Sequence, residues 1–137
     1  MNPLASKPVR THGLSHIAIA VADVERAAAF YARVFGMVTV YVDRTMAQLQ
    51  TPGTRDVLVL EKDRVPETGR GGVRHFGFRL VDPADIDGAA ATIEAAGGTI
   101  TDKGDFIPGE PYVFFRDLDG YDVEVWYELP TKVDPKD

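Results

Sequence analysis

Two stretches of this chain repeat one another, and the repeat limits its possible folds more than any other feature does. His16-Ile-Ala-Ile-Ala-Val21 alternates in the period-2 manner of a strand, and His75-Phe-Gly-Phe-Arg-Leu80 does the same 59 residues later. An acidic residue able to cap a helix follows each strand: Asp23 in the first copy, Asp82 or Asp85 in the second. Apolar residues then recur at i, i+3, i+4 and i+7, as Val24, Ala27, Ala28 and Tyr31, and again as Ile86, Ala89, Ala90 and Ile93. That spacing gathers four side chains on one helix face, ready to cover a sheet. Both helices are expected to end at glycine, Gly36 and Gly97-Gly98, where the chain needs a left-handed residue.

A β-branched strand follows each glycine, at 38–42 and at 99–101. Two more strands complete each copy. In the first they span about 45–50 and 56–60, joined through Pro52-Gly53; in the second, about 111–116 and 121–127, joined by the hairpin turn Asp117-Leu-Asp-Gly120. The expected architecture is α+β, two βαβββ modules in tandem within a single domain, 14–128. Module one covers about 14–62, a Pro- and Gly-containing linker about 63–72, and module two about 73–128. Residues 1–13 and 129–137 read as tails.

Composition removes several functions. Cysteine is absent, which excludes disulfides, thiolate catalysis and Cys-ligated metals. A net charge of −6 with scattered basic residues argues against nucleic acid as a partner, and the densest patch, Arg64, Arg70 and Arg74, reads as a solvated loop. No apolar run approaches the roughly 18–20 residues that span a bilayer, and the N-terminus lacks the apolar stretch of a signal peptide. A cytoplasmic protein without a membrane partner is the expectation.

What chemistry remains gathers at the repeat. The chain has three histidines, and two of them, His16 and His75, stand at matched positions on the first strand of each module. Equivalent residues can meet across a pseudo-two-fold axis relating the modules. Glu124, flanked by Val123 and Val125, should point away from those valines, as strand alternation requires. Two imidazoles and a carboxylate suit Fe(II), Mn(II), Zn(II), Co(II) or Ni(II). Three protein ligands leave positions open for water and substrate, as catalytic sites do. Alternation also places Gly77 and Arg79 with His75, Asp122 and Trp126 with Glu124, and Tyr112, Phe114 and Arg116 along the neighbouring strand. Arg79 or Arg116 is a candidate to grip a substrate carboxylate.

The module order, the strand His16–Val21, the helix phrase Ala29-Phe-Tyr-Ala-Arg-Val-Phe-Gly36 and the closing Asp117-Leu-Asp-Gly-Tyr-Asp-Val-Glu124 resemble the vicinal oxygen chelate superfamily. It includes glyoxalase I, extradiol dioxygenases, fosfomycin-resistance enzymes, methylmalonyl-CoA epimerase and metal-free bleomycin-resistance proteins. The resemblance implies the glyoxalase/bleomycin-resistance/dioxygenase fold with a U-shaped sheet cleft. It implies that His16, His75 and Glu124 ligate one divalent metal, which two adjacent oxygens of a small substrate chelate. A homodimer is implied as well, with sites lying within a chain or between two. The position of a glyoxalase I-like fourth ligand falls on Leu58 or Val59, neither of which can ligate, and Glu61 would share Val59's face. Phe114 stands where dioxygenases and fosfomycin-resistance enzymes carry Tyr, which leaves Tyr112 or Glu61 as candidates for proton transfer. The arginine that a phosphonate site needs near the C-terminus is missing, since none follows Arg116. The reading with which these features agree best is a metal-dependent enzyme leaning to dioxygenase-type chemistry with Fe(II) or Mn(II). The alternatives are a glyoxalase-like lyase or isomerase, and a protein that binds an antibiotic or toxin. Phe114, Trp126, Arg79 and Arg116 are its candidate substrate contacts.

Overall fold

In the computed structural model, residues 10, 12, 14–63 and 75–135 are described; most of the expected N-terminal tail and linker lies outside them. Strand β1 (Ile17–Val21) leads to helix α1 (Val24–Phe35), then β2 (Val38–Val42), β3 (Met46–Gln50) and β4 (Leu58–Lys62). The second module runs β5 (Phe76–Arg79), a 3₁₀ turn (Pro83–Asp85), α2 (Ile86–Ala95), β6 (Thr99–Asp105), β7 (Pro111–Arg116) and β8 (Asp122–Trp126). Each module makes its own four-stranded sheet, ordered β1-β4-β3-β2 and β5-β8-β7-β6. The repeat extends to detail that the sequence did not announce: β2 and β6 each carry a register shift, between Thr39 and Tyr41 and between Ile100 and Asp102.

Local chemistry fixes the helix ends. The Asp23 side chain accepts the Arg26 N–H at the start of α1, and Gly36 closes it at φ 66°. In module two, Asp82 caps the 3₁₀ turn by accepting from Ala84 N–H, and α2 continues out of that turn. Strand β4 begins two residues later than expected. Asp56 instead accepts from the N–H and hydroxyl of Thr51 and closes the loop before it.

Helix α1 is buried on more than one side. Val24, Ala27 and Tyr31 lie in the stripe read from the sequence, and Phe30 is equally buried. The reason is that α1 touches both sheets. It packs on β3 and β4 of its own module, while its rings reach the other: Phe35 stacks on Phe78 with centroids 3.9 Å apart, and Phe30 meets Phe115 at 6.2 Å. Helix α2 covers β6, β7 and β8 and also touches α1. One continuous core results, with Ile19, Leu49 and Leu60 of the first sheet and Phe115, Val123 and Val125 of the second. The helices therefore form a middle layer, and each sheet turns its other face outward.

The Asp-Leu-Asp-Gly turn welds the modules. Asp117, 7 % exposed, accepts the Tyr31 hydroxyl at 2.7 Å and the N–H groups of Asp119 and Tyr121. Asp119 accepts from Ala22 N–H, and the Tyr121 hydroxyl donates to the Ala20 carbonyl. All three residues reach back to β1 or α1. Burial pushes the Asp117 carboxyl up, against the hydrogen bonds that pull it down. Because the folded chain holds that proton more tightly than the unfolded chain does, this contribution to stability is fully present below about pH 3.9 and is lost as pH rises through the raised folded value. Melting curves of wild type and Asp117→Asn, taken from pH 4 to pH 7, should therefore shift in favour of wild type toward the acid end. A pH-independent difference would refute the assignment.

Candidate metal centre

Parallel pairing of β5 with β8 sets Gly77 beside Glu124 and Arg79 beside Trp126. Antiparallel pairing of β7 with β8 sets Phe114 beside Glu124, Tyr112 beside Trp126 and Arg116 beside Asp122. Paired residues share a face, so His75, Gly77, Glu124, Tyr112, Phe114 and Trp126 all stand on the outward side of the second sheet. The faces expected from strand alternation are the faces observed.

Glu124 is 7 % exposed and lies at the centre of this surface. Burial raises its pKa, and the His75 imidazole acts in the opposite direction. Among the described residues no hydrogen bond reaches its carboxylate. A buried carboxylate without donors is costly, and beside an imidazole it is a donor set suited to a divalent cation. Gly77 makes the space for it. A Cβ added there would stand 3.0 Å from the Glu124 carbonyl oxygen and 3.4 Å from Oε1. Gly77→Ala is expected to cost about 1–3 kcal/mol by crowding, which thermal unfolding of that variant checks. His75 also meets the Phe114 ring edge-on at 5.1 Å. His75, Thr101, Asp102, Phe114 and Asp122 line a groove of about 540 Å³ beside it.

The first sheet presents a matching face without a carboxylate at the matching place. Ala18, two residues past His16, pairs with Val59, as Gly77, two past His75, pairs with Glu124. Val59 is therefore the counterpart of Glu124, which decides between the two fourth-ligand positions weighed from sequence. Glu61 does extend β4 on Val59's face, but it pairs with Ala20, roughly 7 Å further along the strand. His16 is exposed, with Ser15 Oγ 2.7 Å from its Nδ1, and among the described residues no hydrogen bond engages its Nε2.

His16 and Glu124 thus stand on the outward faces of two sheets separated by the helices. Among the described residues no three His, Asp or Glu side chains converge as a metal site would require. The chain brings His75 and Glu124 together and leaves His16 on its far side. The candidate substrate cations are both engaged. Arg79 forms a two-pronged contact with Asp134 at 2.9 and 3.1 Å and also meets Glu128, which ties down part of the expected C-terminal tail. Arg116 lies 3.5 Å from Asp122. Tyr112 donates to Asp102 at 3.1 Å, and loss of water followed by that carboxylate raises its pKa, so at neutral pH it is a proton donor rather than a base. Sequence reasoning missed Asp102, which the register shift in β6 turns to the same face as Phe114.

The family model of the Glyoxalase/Bleomycin resistance protein/Dioxygenase superfamily matches residues 13–125, and the chain belongs to that superfamily. Solved structures agree on the fold. A lactoylglutathione lyase from Agrobacterium tumefaciens is 26 % identical at TM-score 0.67, covering 85 % of this chain and 94 % of that one. The fosfomycin resistance protein FosX from Listeria monocytogenes, solved with Mn(II) and sulfate, is 18 % identical at TM-score 0.74, covering 88 % and 93 %. A glyoxalase-related enzyme from Fulvimarina pelagi is 20 % identical at TM-score 0.71, covering 86 % and 89 %. No curated protein matches the chain significantly. No described helix is long and apolar enough to cross a membrane.

Proposed function

We propose that this protein is a divalent-metal enzyme acting on a small oxygenated substrate, with each site shared between two chains of a homodimer. His75 and Glu124 of one chain and His16 of the other would hold the metal. The observation that carries this reading is the buried Glu124 carboxylate, beside His75 and without a hydrogen-bond donor among the described residues. Its open face needs one more ligand, and His16, one residue before β1 as His75 is one residue before β5, sits at the matching place on the opposite outward face. Two copies, each offering both faces, satisfy each other in a closed two-fold arrangement.

When bound, the metal would supply Lewis acidity and a template for two adjacent substrate oxygens. The chain's residues do the rest. Phe114, which lines the groove, and Trp126, on the same face of the sheet, would contact the substrate. Tyr112 and Asp102, joined through the Tyr112 hydroxyl proton, would form the proton-transfer pair beside the groove. Val59 gives no fourth ligand, which favours Fe(II) or Mn(II) and dioxygenase-type chemistry over a glyoxalase-like lyase or isomerase reaction. The Mn(II) in the FosX structure supports such a cation on this fold.

The test is elemental analysis of purified protein together with turnover of aromatic diols and 2-oxoaldehydes. Stoichiometric metal that His75→Ala removes is the expected result. Protein without stoichiometric metal, whose residual content His75→Ala leaves unchanged, would sink the proposal. A metal-free binder of antibiotic or toxin would then be the better reading, since the aromatic surface remains.

A further inference from the structure

The outward face of the second sheet carries a line of aromatic rings beside His75 and Glu124. His75 meets Phe114 edge-on at 5.1 Å, and Phe114 meets Tyr112 at 5.7 Å. Phe106, from the loop after β6, lies flat on Tyr112 at 4.1 Å and 17°, and touches Trp126 at 5.8 Å. Phe106 keeps 49 % of its surface exposed although it is stacked. Such a strip offers ring faces and edges to a flat ligand.

The charges left unbalanced around it, on Asp102 and Glu124, are negative. Asp102 and Asp122 line the groove, and Glu124 lies beside it. The two cations on this face are engaged, Arg79 by Asp134 and Glu128 and Arg116 by Asp122. Lys103 pairs with Val113 and so belongs to the opposite face. The outward face of the first sheet, which would complete the cleft, carries Met46, Gln48, Val59 and Glu61 in register, again without Lys or Arg. A carboxylate or phosphonate entering here would lose water and, among the described residues, meet no free cation.

We infer that the groove selects a planar, uncharged molecule, laid along the Phe114–Tyr112–Phe106 strip with a hydrogen-bond donor directed at Asp102, and rejects anions of the same shape. The selection of a substrate class rests on the metal-enzyme reading only for the placing of the two oxygens next to His75 and Glu124; the charge preference belongs to the groove itself.

Matched probes separate the two. Full-length protein, metal-free and again loaded with Mn(II), is titrated calorimetrically with 4-methylbenzene-1,2-diol and with 3,4-dihydroxybenzoate. Emission of Trp126, the chain's single tryptophan, serves as the locating readout. The neutral diol is expected to bind at least about tenfold more tightly than the carboxylate, about 1.4 kcal/mol by the tenfold rule. Phe114→Leu, which keeps an apolar side chain and removes the ring, should weaken the diol by about tenfold, and Asp102→Asn should narrow the preference between the two probes. Equal or tighter binding of the carboxylate overturns the inference, and so does the absence of saturable binding by either probe. Failure of the metal reading would show differently, as a diol preference that persists without any metal and is unchanged by Mn(II).

Discussion

Chains carrying His16→Ala and chains carrying Glu124→Ala, each expected to hold no stoichiometric metal alone, should recover about a quarter of the sites when unfolded together and refolded as a mixture. The arithmetic follows from the two outward faces. A site shared between chains draws His16 from one and His75 with Glu124 from the other. Random pairing makes half of the dimers mixed, and each mixed dimer has one site with all three residues intact and one with two missing. If His16 instead folded over to its own chain's Glu124, every site in the mixture would lack one ligand, and mixing would restore nothing. The single variants set the scale. Loss of a group outside the coordination sphere commonly costs 10–100-fold in metal affinity, and loss of a ligand should exceed about 100-fold. Glu124 carries the larger expectation, because its carboxylate supplies the only negative charge in the set. Elemental analysis and turnover should rise together in the mixture, and a mixture that stays at the level of the single variants would refute the shared site.

The second large effect concerns the layer that separates those faces. Phe115→Ala removes a fully buried ring that packs against Phe30 and Phe35 of the other module's helix. The expected cost is about 3–5 kcal/mol, which for a chain of this size lowers the melting temperature by about 10–15 °C. Because the cavity opens between modules, both should melt together, and calorimetry should show one transition before and after the substitution. Two separated transitions, or a loss confined to module two, would mean that the modules are stable independently. Tyr31→Phe should follow the same pattern at smaller scale, about 1–2 kcal/mol, since it removes only the hydroxyl that reaches Asp117.

Much of the fold was legible because its signals are local. The start of α1 at Val24 and its stop at Gly36 follow from a capping aspartate and a glycine free to adopt φ 66°. The same logic located α2, and six of the eight strands to within one residue. The exceptions have identifiable causes. Strand β4 is displaced because Asp56 serves the loop, and β6 runs on to Asp105 because it pairs with the whole length of β7 down to Pro111. Neither a loop hydrogen bond nor a partner strand is written in the segment's own periodicity.

The site was legible in its residues but not in its assembly. Alternation assigned Glu124 and Gly77 to faces, yet only the parallel pairing of β5 with β8 makes them neighbours. The fourth position hung on a one-residue choice, and a slip of one residue reverses every face. Pairing of Ala18 with Val59 decides it. Arg79 looked like a hand for a substrate carboxylate, while its partner Asp134 lies 55 residues away and carries no strand or helix pattern to announce it.

The two histidines at matched places at the entry to repeated strands remain what the sequence by itself determined, together with the glutamate that alternation turns toward the same kind of face. Which of the three share a surface was decided by the tertiary structure alone. Helix α1 carries apolar side chains on more sides than one sheet can cover, so both sheets close on it, and their outward faces part. Packing of Phe30, Phe35, Phe78 and Phe115 in one core holds the helices between the two sheets. That packing holds His75 with Glu124 and sends His16 to the other side of the molecule.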